Sequence, residues 1–544
     1  MRYLDEELIV YSKSEVYPFH MPGHKRQNIA FPNPYTIDIT EIDGFDNLHH
    51  AEGILQEAQQ RAATLYGSDH CFYLVNGSTC GLLAAISAAT MKRDKILVAR
   101  NCHKAVYHAL FLKELDVEFL YPQITANDLQ GQITVQQVED ALCEHPDITA
   151  VVITSPTYEG IISDVAGIAK VCHDKNIPLI VDEAHGAHLG FGGEAAGKEE
   201  ISEVGSGFGK NAVRLGADAV VMSLHKTLPS FTQTALLHIN GDRIKKERVK
   251  RYLGIYQTSS PSYLFMAGMD ACVRMLEEQG EKLFSDYRRR LNHFYQSVAD
   301  LKNLHVMTRK DLSVSESYDW DDSKLIIFTK IFTGEMLHQK LLRQYHLQME
   351  MVSGNYVLGM TSIMDTDEGL NRLSAALHEI DVELEEVQRV QGESAKLEAV
   401  QRLQRESAEL EEVQRVQGKS ADFEKVQRVQ GESADLEIGL AAGQETAAKY
   451  KKMNFTAHMY EKNPRRMQIY QAVELPEREV PFDEAAGEMS ADYVFLYPPG
   501  IPLLVPGEVI TREFIEKIRE CQRRGLNVEG QSNLAQERIK IVYF

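Results

Sequence analysis

Residues 220 to 239 read VVMSLHKTLPSFTQTALLHI, an apolar run of strand length that ends abruptly in Ser223, His225 and Lys226. Lysine is rarely buried without a partner or a task. A lysine where a core strand meets a loop, beside a serine and a histidine, is therefore a candidate for chemistry. Three other apolar runs end in polar residues of the same kind. FYLV is followed by NGSTCG (76 to 81) and then by LLAAISAA, which sets Ser78 and Thr79 among the free N–H groups of a helix N-terminus, a good seat for a phosphate. KILVA leads into RNCHKAVYHA (100 to 109) with His103, and IPLIV leads into DEAHG with Asp182, Ala184 and His185. Taken singly, each has a plain reading as an N-cap, a satisfied loop histidine or a helix-capping aspartate.

Taken jointly they fit pyridoxal phosphate (PLP) catalysis. That chemistry needs a lysine for a Schiff base, a carboxylate on the pyridinium nitrogen, a phosphate cup and a flat group over the ring. Lys226 is expected to hold the aldehyde as an imine, its pKa lowered by burial and neighbouring positive groups. Asp182 is expected to keep the ring nitrogen protonated. Ala184, small and two residues on, would lie against one ring face and His103 would stack on the other. Ser78, Thr79, Ser223 and His225 would hold the phosphate, and His185 belongs to the same cofactor-binding set.

Such residues need a sheet whose strands end side by side, because ligands of open α/β sheets bind beyond the carboxyl ends of the strands. The pattern supplies one. HCFYLV, KILVAR, VEFLYP, ITAVVIT, IPLIVDEAH and ADAVVMSLH are runs without polar alternation, separated by helix-patterned segments. They predict an α/β fold with a mainly parallel sheet covered on both faces. Residues 241 to 380 mix helices with the strand signal KLIIFTKIF and end in the helical NRLSAALHEIDVELEEV.

Bulk composition bounds the function. The 544 residues, 44% hydrophobic and 25% charged, suffice for two or more domains. A formal charge of −21 argues against nucleic acid and weakly favours a cationic small molecule. No apolar window approaches the ~18 residues of a membrane span, and the N-terminus lacks a basic and an apolar signal region, so no membrane association and a cytoplasmic location are expected. The seven cysteines (Cys71, Cys80, Cys102, Cys143, Cys172, Cys272 and Cys521) are scattered and never in C-x-x-C spacing, as expected of reduced, mostly buried thiols. HMPGH (20 to 24) and HGAH (185 to 188) lack a third ligand and an H-E-x-x-H helix, so no metal is expected; the first reads as a turn. GSGFGKN (205 to 211) lacks the phosphate-loop spacing and reads as a flexible loop.

Between residues 384 and 435 stand four near-identical units, LEEVQRVQGESAK, LEAVQRLQRESAE, LEEVQRVQGKSAD and FEKVQRVQGESAD, with a period of 13. At ~100° per residue that period falls about 140° short of four turns, so successive units do not share one helical face, and the heptad of a coiled coil is absent. The segment reads as a surface insertion, which costs little when it lengthens a loop. Beyond it, ADYVFLYPPGIPLLVPGE and TREFIEKIRECQRRG predict a small C-terminal α+β domain. The expected divisions are an N-terminal segment 1–40, a PLP-binding large domain 41–255, the remainder of the catalytic region 256–383, the repeat insertion 384–437 and the C-terminal domain 438–544.

With these stretches on view the chain resembles the Orn/Lys/Arg decarboxylase family of PLP enzymes, in its short form without an N-terminal receiver-like domain. FHMPGHKR (19 to 26), DITEIDGFDNLHHAEGIL (38 to 55), NGSTCG, RNCHKAVYHAL, TSPTYEG (154 to 160), VDEAHGAHLGF (181 to 191), SLHKTLPSFTQTALLH (223 to 238), QTSSPSYLFMAGMD (257 to 270) and YPPGIPLLVPGE (497 to 508) carry the likeness. The resemblance implies the aspartate-aminotransferase (fold type I) architecture, the residue roles above, and a homodimer in which TSSPSY reaches the neighbour's cofactor. The repeat has no counterpart in the family pattern, which puts the docking of the C-terminal domain in question. Leu224 stands where larger relatives often carry threonine, and its side chain should face the core.

The expected activity is decarboxylation of a basic amino acid: arginine to agmatine first, lysine next, ornithine third, with His225 or Lys226 returning the proton. Glu41, Asp43 and Asp46 in TEIDGFD are candidates for the substrate's distal cation, with turn formation as the competing reading. An aminotransferase or carbon–sulfur lyase on the same fold, or an inactive scaffold whose repeat binds a partner, are the alternatives.

Overall fold

A computed structural model describes residues 4–27, 32–192, 208–385, 462–496, 500–523 and 526–543. The 13-residue repeat, from residue 386 onward, and the first part of GSGFGKN lie outside the described residues.

Seven strands form the central sheet: β1 (His70–Leu74), β2 (Lys95–Ala99), β3 (Asp116–Leu120), β4 (Ile148–Thr154), β5 (Leu179–Asp182), β6 (Ala219–Met222) and β7 (Ala235–Ile239). Their spatial order is β1-β7-β6-β5-β4-β2-β3. Strands β3, β2, β4, β5 and β6 run parallel, while β7 is antiparallel to both β6 and β1. The apolar runs are buried because helices cover both faces; every residue of β5, β6 and β7 is buried. The antiparallel β7 is the departure from the expected strand list. It arises because the chain leaving β6 forms only the one-turn helix Leu224–Thr227 and then returns, instead of building a crossover helix.

The strand order reverses at β2, which has β3 on one side and β4 on the other, the kind of switch point whose crevice, beyond the carboxyl ends of the strands, takes the ligands of such sheets. Register aligns the ends around it: Thr154 lies beside Asp182, and Asp182 beside Val221. The strand Tyr17–Phe19 pairs in parallel with Leu347–Met349 and brings the HMPGH turn toward the same end.

A second, antiparallel sheet is formed by Leu304–Val306, Lys324–Thr329, Tyr356–Met360 and Met351–Ser353. It packs with the central sheet into one continuous core. The strands Val494–Leu496, Ile501–Leu504 and Val528–Glu529 form a small separate sheet, and Glu477–Pro481 pairs with Arg538–Val542. The helix Arg512–Arg523 turns Phe514, Ile515, Ile518 and Cys521 onto these strands, which gives this part its own apolar core. Among the described residues no helix is long and apolar enough to cross a membrane.

The helix Gly77–Ala89 lies tightly on the sheet. A Cβ on Gly81 would meet Leu74 Cδ1 at 2.5 Å and Val221 Cγ1 at 3.0 Å. Gly81→Val therefore overpacks the seam between this helix, β1 and β6, and is expected to lower stability by about 1–3 kcal/mol. Denaturant unfolding of the apoprotein measures this; an unchanged midpoint would show that the seam yields.

Candidate active site

Four strand ends converge at the crevice. Leaving β6, Ser223 is the N-cap of the one-turn helix that carries His225 and Lys226, and its hydroxyl is buried without a hydrogen-bond partner. Leu224 turns into the core, as its apolar side chain requires. The helix is pinned from the N-terminal segment: Gly23 N–H donates to His225 O at 2.7 Å. A side chain at Gly23 would lie 2.8 Å from Leu228 N and O, so only glycine admits this approach.

The Lys226 Nζ is 2.9 Å from His185 Nε2. Its side chain is part-buried, and the enclosure around the amine lowers its pKa, against the pull of Asp182 and Glu350 and with that of Lys324. Asp182, at the end of β5, is buried and accepts the N–H of Ala184 at 3.2 Å. Burial raises its pKa, while the charge of Lys226 and the Ala184 N–H oppose the rise. The next residues follow from a tight turn: Ala184 and His185 are both buried, and the His185 ring lies 4.5 Å from that of Tyr158. His185 Nδ1 is buried and without a partner, and burial followed by the Lys226 charge holds this imidazole far below its ordinary pKa.

From β2, His103 caps the helix Lys104–Leu112, its Nδ1 accepting Ala105 N–H at 3.2 Å. Burial, then the Lys226 charge, depress its pKa to about 3. His225 is pushed down to about 4, mainly by burial; its Nδ1 is 2.9 Å from Thr234 O, so a neutral ring donates there and presents Nε2 as an acceptor. From β1, Asn76 precedes the helix Gly77–Ala89 but does not cap it: its Oδ1 accepts Thr258 N–H at 3.1 Å. The first N–H groups thus have no side-chain cap, with Ser78 half-buried and Thr79 exposed beside them.

The arrangement suits pyridoxal phosphate. An orphaned buried hydroxyl at Ser223 and an uncapped helix N-terminus match the phosphate; a buried carboxylate at Asp182 matches a ring nitrogen; an amine whose pKa is lowered by its enclosure, at Lys226, matches the aldehyde.

The TEIDGFD carboxylates fall differently. Asp46 organises its own turn, the competing reading for this loop: its two oxygens accept the N–H groups of Asn47, Glu52, Gly53 and Leu55. Burial works against these bonds, yet its pKa ends below the ordinary value. Glu41 keeps one buried oxygen without a partner, and Asp43 is exposed.

Sequence reasoning passed over Glu350. This carboxylate acts on Lys226 and is held by Tyr158 Oη at 2.6 Å and by Met21 N–H at 2.8 Å. The lone charged residue inside LQMEMV was its only signal.

Residues 4–339 match the family model described as Orn/Lys/Arg decarboxylase, major domain, and residues 447–524 match the C-terminal domain of the same family. The chain is 27% identical to an arginine decarboxylase of Bacillus anthracis over 98% of its own length and 96% of that protein's. It is 30% identical to the uncharacterized protein YaaO of Bacillus subtilis, over 99% of this chain and 98% of that one. Among solved structures it is similar to the lysine decarboxylase LdcF of Francisella novicida, with a TM-score of 0.71, 19% identity, and coverage of 99% of this chain and 80% of that chain.

The pKa of His103 sets a pH dependence. An imidazole that titrates near 3 when folded and near 6.5 when unfolded takes up its proton only on unfolding across that window. Stability is therefore full above the unfolded value and is lost as pH falls toward the folded one. His103→Gln is expected to reduce the slope of unfolding free energy against pH by about one proton between roughly pH 6 and 4.5 in the apoprotein. An unaltered slope would mean that His103 titrates normally in the fold.

Proposed function

The chain belongs to the Orn/Lys/Arg decarboxylase family, and from that footing we propose that it removes the α-carboxylate of a basic amino acid with the help of pyridoxal phosphate, arginine being the first substrate and agmatine the product. The observation that carries the reading is the Lys226 amine, 2.9 Å from His185 Nε2 and under the field of Asp182, at the carboxyl ends of a parallel sheet. Relatives of matching length that bear the name arginine decarboxylase support the choice of arginine over lysine and ornithine.

Bound there, pyridoxal phosphate supplies the electron sink for the pair left behind by CO2. The protein does the rest. Enclosure lowers the pKa of Lys226 and so favours the nucleophilic amine, and Asp182 would hold positive charge on the ring nitrogen. Ala184 and His103 would hold the ring between them. The N-terminus of Gly77–Ala89, with Ser78 and Thr79, and the Ser223 hydroxyl take the phosphate. His225 joins them as a cation, since its neutral form presents only an acceptor; a phosphate dianion favours the protonated ring. With the Nε2–H of that cation committed to the phosphate, Lys226 Nζ is the better placed group to protonate the α-carbon.

Glu350 is the proposed ligand of the substrate's distal cation. Each of its oxygens accepts one bond, from Tyr158 or Met21, which leaves lone pairs for a guanidinium fork. We also assign the family's dimer to the face bearing Glu41 and Asp43. Tyr263 Oη donates to Asp46 O at 2.6 Å and Thr258 O meets His49, so TSSPSY and the TEIDGFD loop form one surface. Ile42, Phe45 and Ile54 are 49%, 44% and 51% exposed there.

Two measurements test this reading. Purified wild-type protein with PLP is expected to show a visible absorbance band that Lys226→Ala lacks, and to release CO2 from arginine in preference to lysine and ornithine. A band without CO2 from any of the three would overturn decarboxylation in favour of transamination or lyase chemistry. Glu350→Gln is expected to raise KM for arginine by about 30-fold, the ~2 kcal/mol of a lost buried charge partner, with the visible band intact; an unchanged KM would release Glu350 from substrate binding.

A further inference from the structure

Arg100 follows β2 directly and stands three residues before His103. Its guanidinium and the carboxylate of Glu508 are 3% and 2% exposed, 3.4 Å apart, and come from opposite ends of the chain. Nη1 also donates to Pro502 O at 2.6 Å and to Tyr107 Oη at 3.0 Å, and Tyr107 Oη donates in turn to the Arg100 carbonyl at 2.7 Å. The guanidinium lies over the rings of Tyr107 and Phe119, 5.6 and 5.3 Å from their centres.

Two closures result. Arg100 and Tyr107 staple the segment that His103 begins as N-cap, fixing it from both sides. Pro502 and Glu508 then fix the staple to the strand Ile501–Leu504 and the turn after it. Glu508 is itself committed: the same oxygen accepts Val505 N–H at 3.0 Å and Asn463 Nδ2 at 3.3 Å. A buried ion pair is a poor source of net stability, because desolvation cancels most of its attraction. What a planar, five-donor guanidinium does supply is a fixed geometry between several acceptors at once, which a lysine cannot reproduce.

We propose that Arg100 is a positioning residue through which the C-terminal core holds His103 over the cofactor ring. Arg100 reaches no reacting atom; it acts by fixing the N-cap of the helix Lys104–Leu112. The inference rests on the reading that His103 covers that ring. It also makes the docking of the C-terminal part, and therefore of the chain re-entering at Asn463 and Arg465, a condition for a well-formed site. Arg465 lies next to the latch, 3.7 Å from Glu118 and over Phe119.

The test is a double-mutant cycle on PLP binding. Apoprotein of the wild type, His103→Ala, Tyr107→Phe, Glu508→Gln and the two double variants with His103→Ala is titrated with PLP. Visible circular dichroism gives the Kd, and thermal unfolding of each apoprotein is recorded alongside. Tyr107→Phe and Glu508→Gln are each expected to raise the Kd by about threefold to tenfold, and to add nothing once His103 is alanine. Tyr107→Phe removes one hydroxyl and keeps the test open where Glu508→Gln costs folding. Effects that multiply in the doubles, or a Kd that stays put while only Tm falls, would overturn the latch. If His103→Ala alone leaves Kd and dichroism unchanged, the stacking role of His103 fails and the proposal falls with it; if His103→Ala weakens binding and Tyr107→Phe does not, the latch alone fails.

Discussion

The amine of Lys226 is the point on which the rest of the structure depends. An ammonium enclosed by protein is unfavourable without a partner, and here the closest partner is the imidazole of His185, which cannot take a full positive charge off it. Enclosure therefore shifts the lysine toward its neutral, nucleophilic form, and the charge of Asp182 moderates that shift. Holding such a group in place needs rigid surroundings. The strand ends in register, the one-turn helix and the Gly23 contact on its backbone provide them.

Three lysines lie in this region, and their surroundings differ in the way their roles would require. Lys25, fully buried, donates to His20 O at 2.9 Å and Met360 O at 2.6 Å and faces Asp365 at 4.0 Å. Lys324, also fully buried, sits 3.4 Å from Asp321, whose carboxyl is held well below its ordinary pKa despite burial by His188, Lys324 and Ser323. Both are shut inside the core, each beside a carboxylate. Lys226 alone of the three keeps access to the crevice. The positive field of Lys324 also reaches His185 and Lys226, so the buried pair shapes the site from behind.

Much of this is legible in the sequence because it is local. Most of the central strands are apolar runs without alternation, DVEFL at the sheet edge being the exception, and the polar residues that end them are the ones the sheet brings together, since a parallel sheet aligns its carboxyl ends by construction. The seventh strand, ALLHI, is hidden because a short return and a crossover look alike until the one-turn helix is seen. What is not legible depends on distant contacts. Glu350 matters only because Tyr158 and Met21 aim it toward Lys226. Asp46 had the composition of a substrate ligand, and only the geometry of residues 47 to 55 shows its oxygens turned inward. The Arg100–Glu508 contact joins positions 408 residues apart, beyond any local pattern.

The central claim is that Lys226, and no other lysine, is the group made reactive by its enclosure. Borohydride reduction of the PLP-loaded protein followed by peptide mapping tests it most directly. The account predicts the reduced cofactor on the peptide that contains Lys226 and on no other. Label on Lys25 or Lys324, or spread over surface lysines, would contradict it.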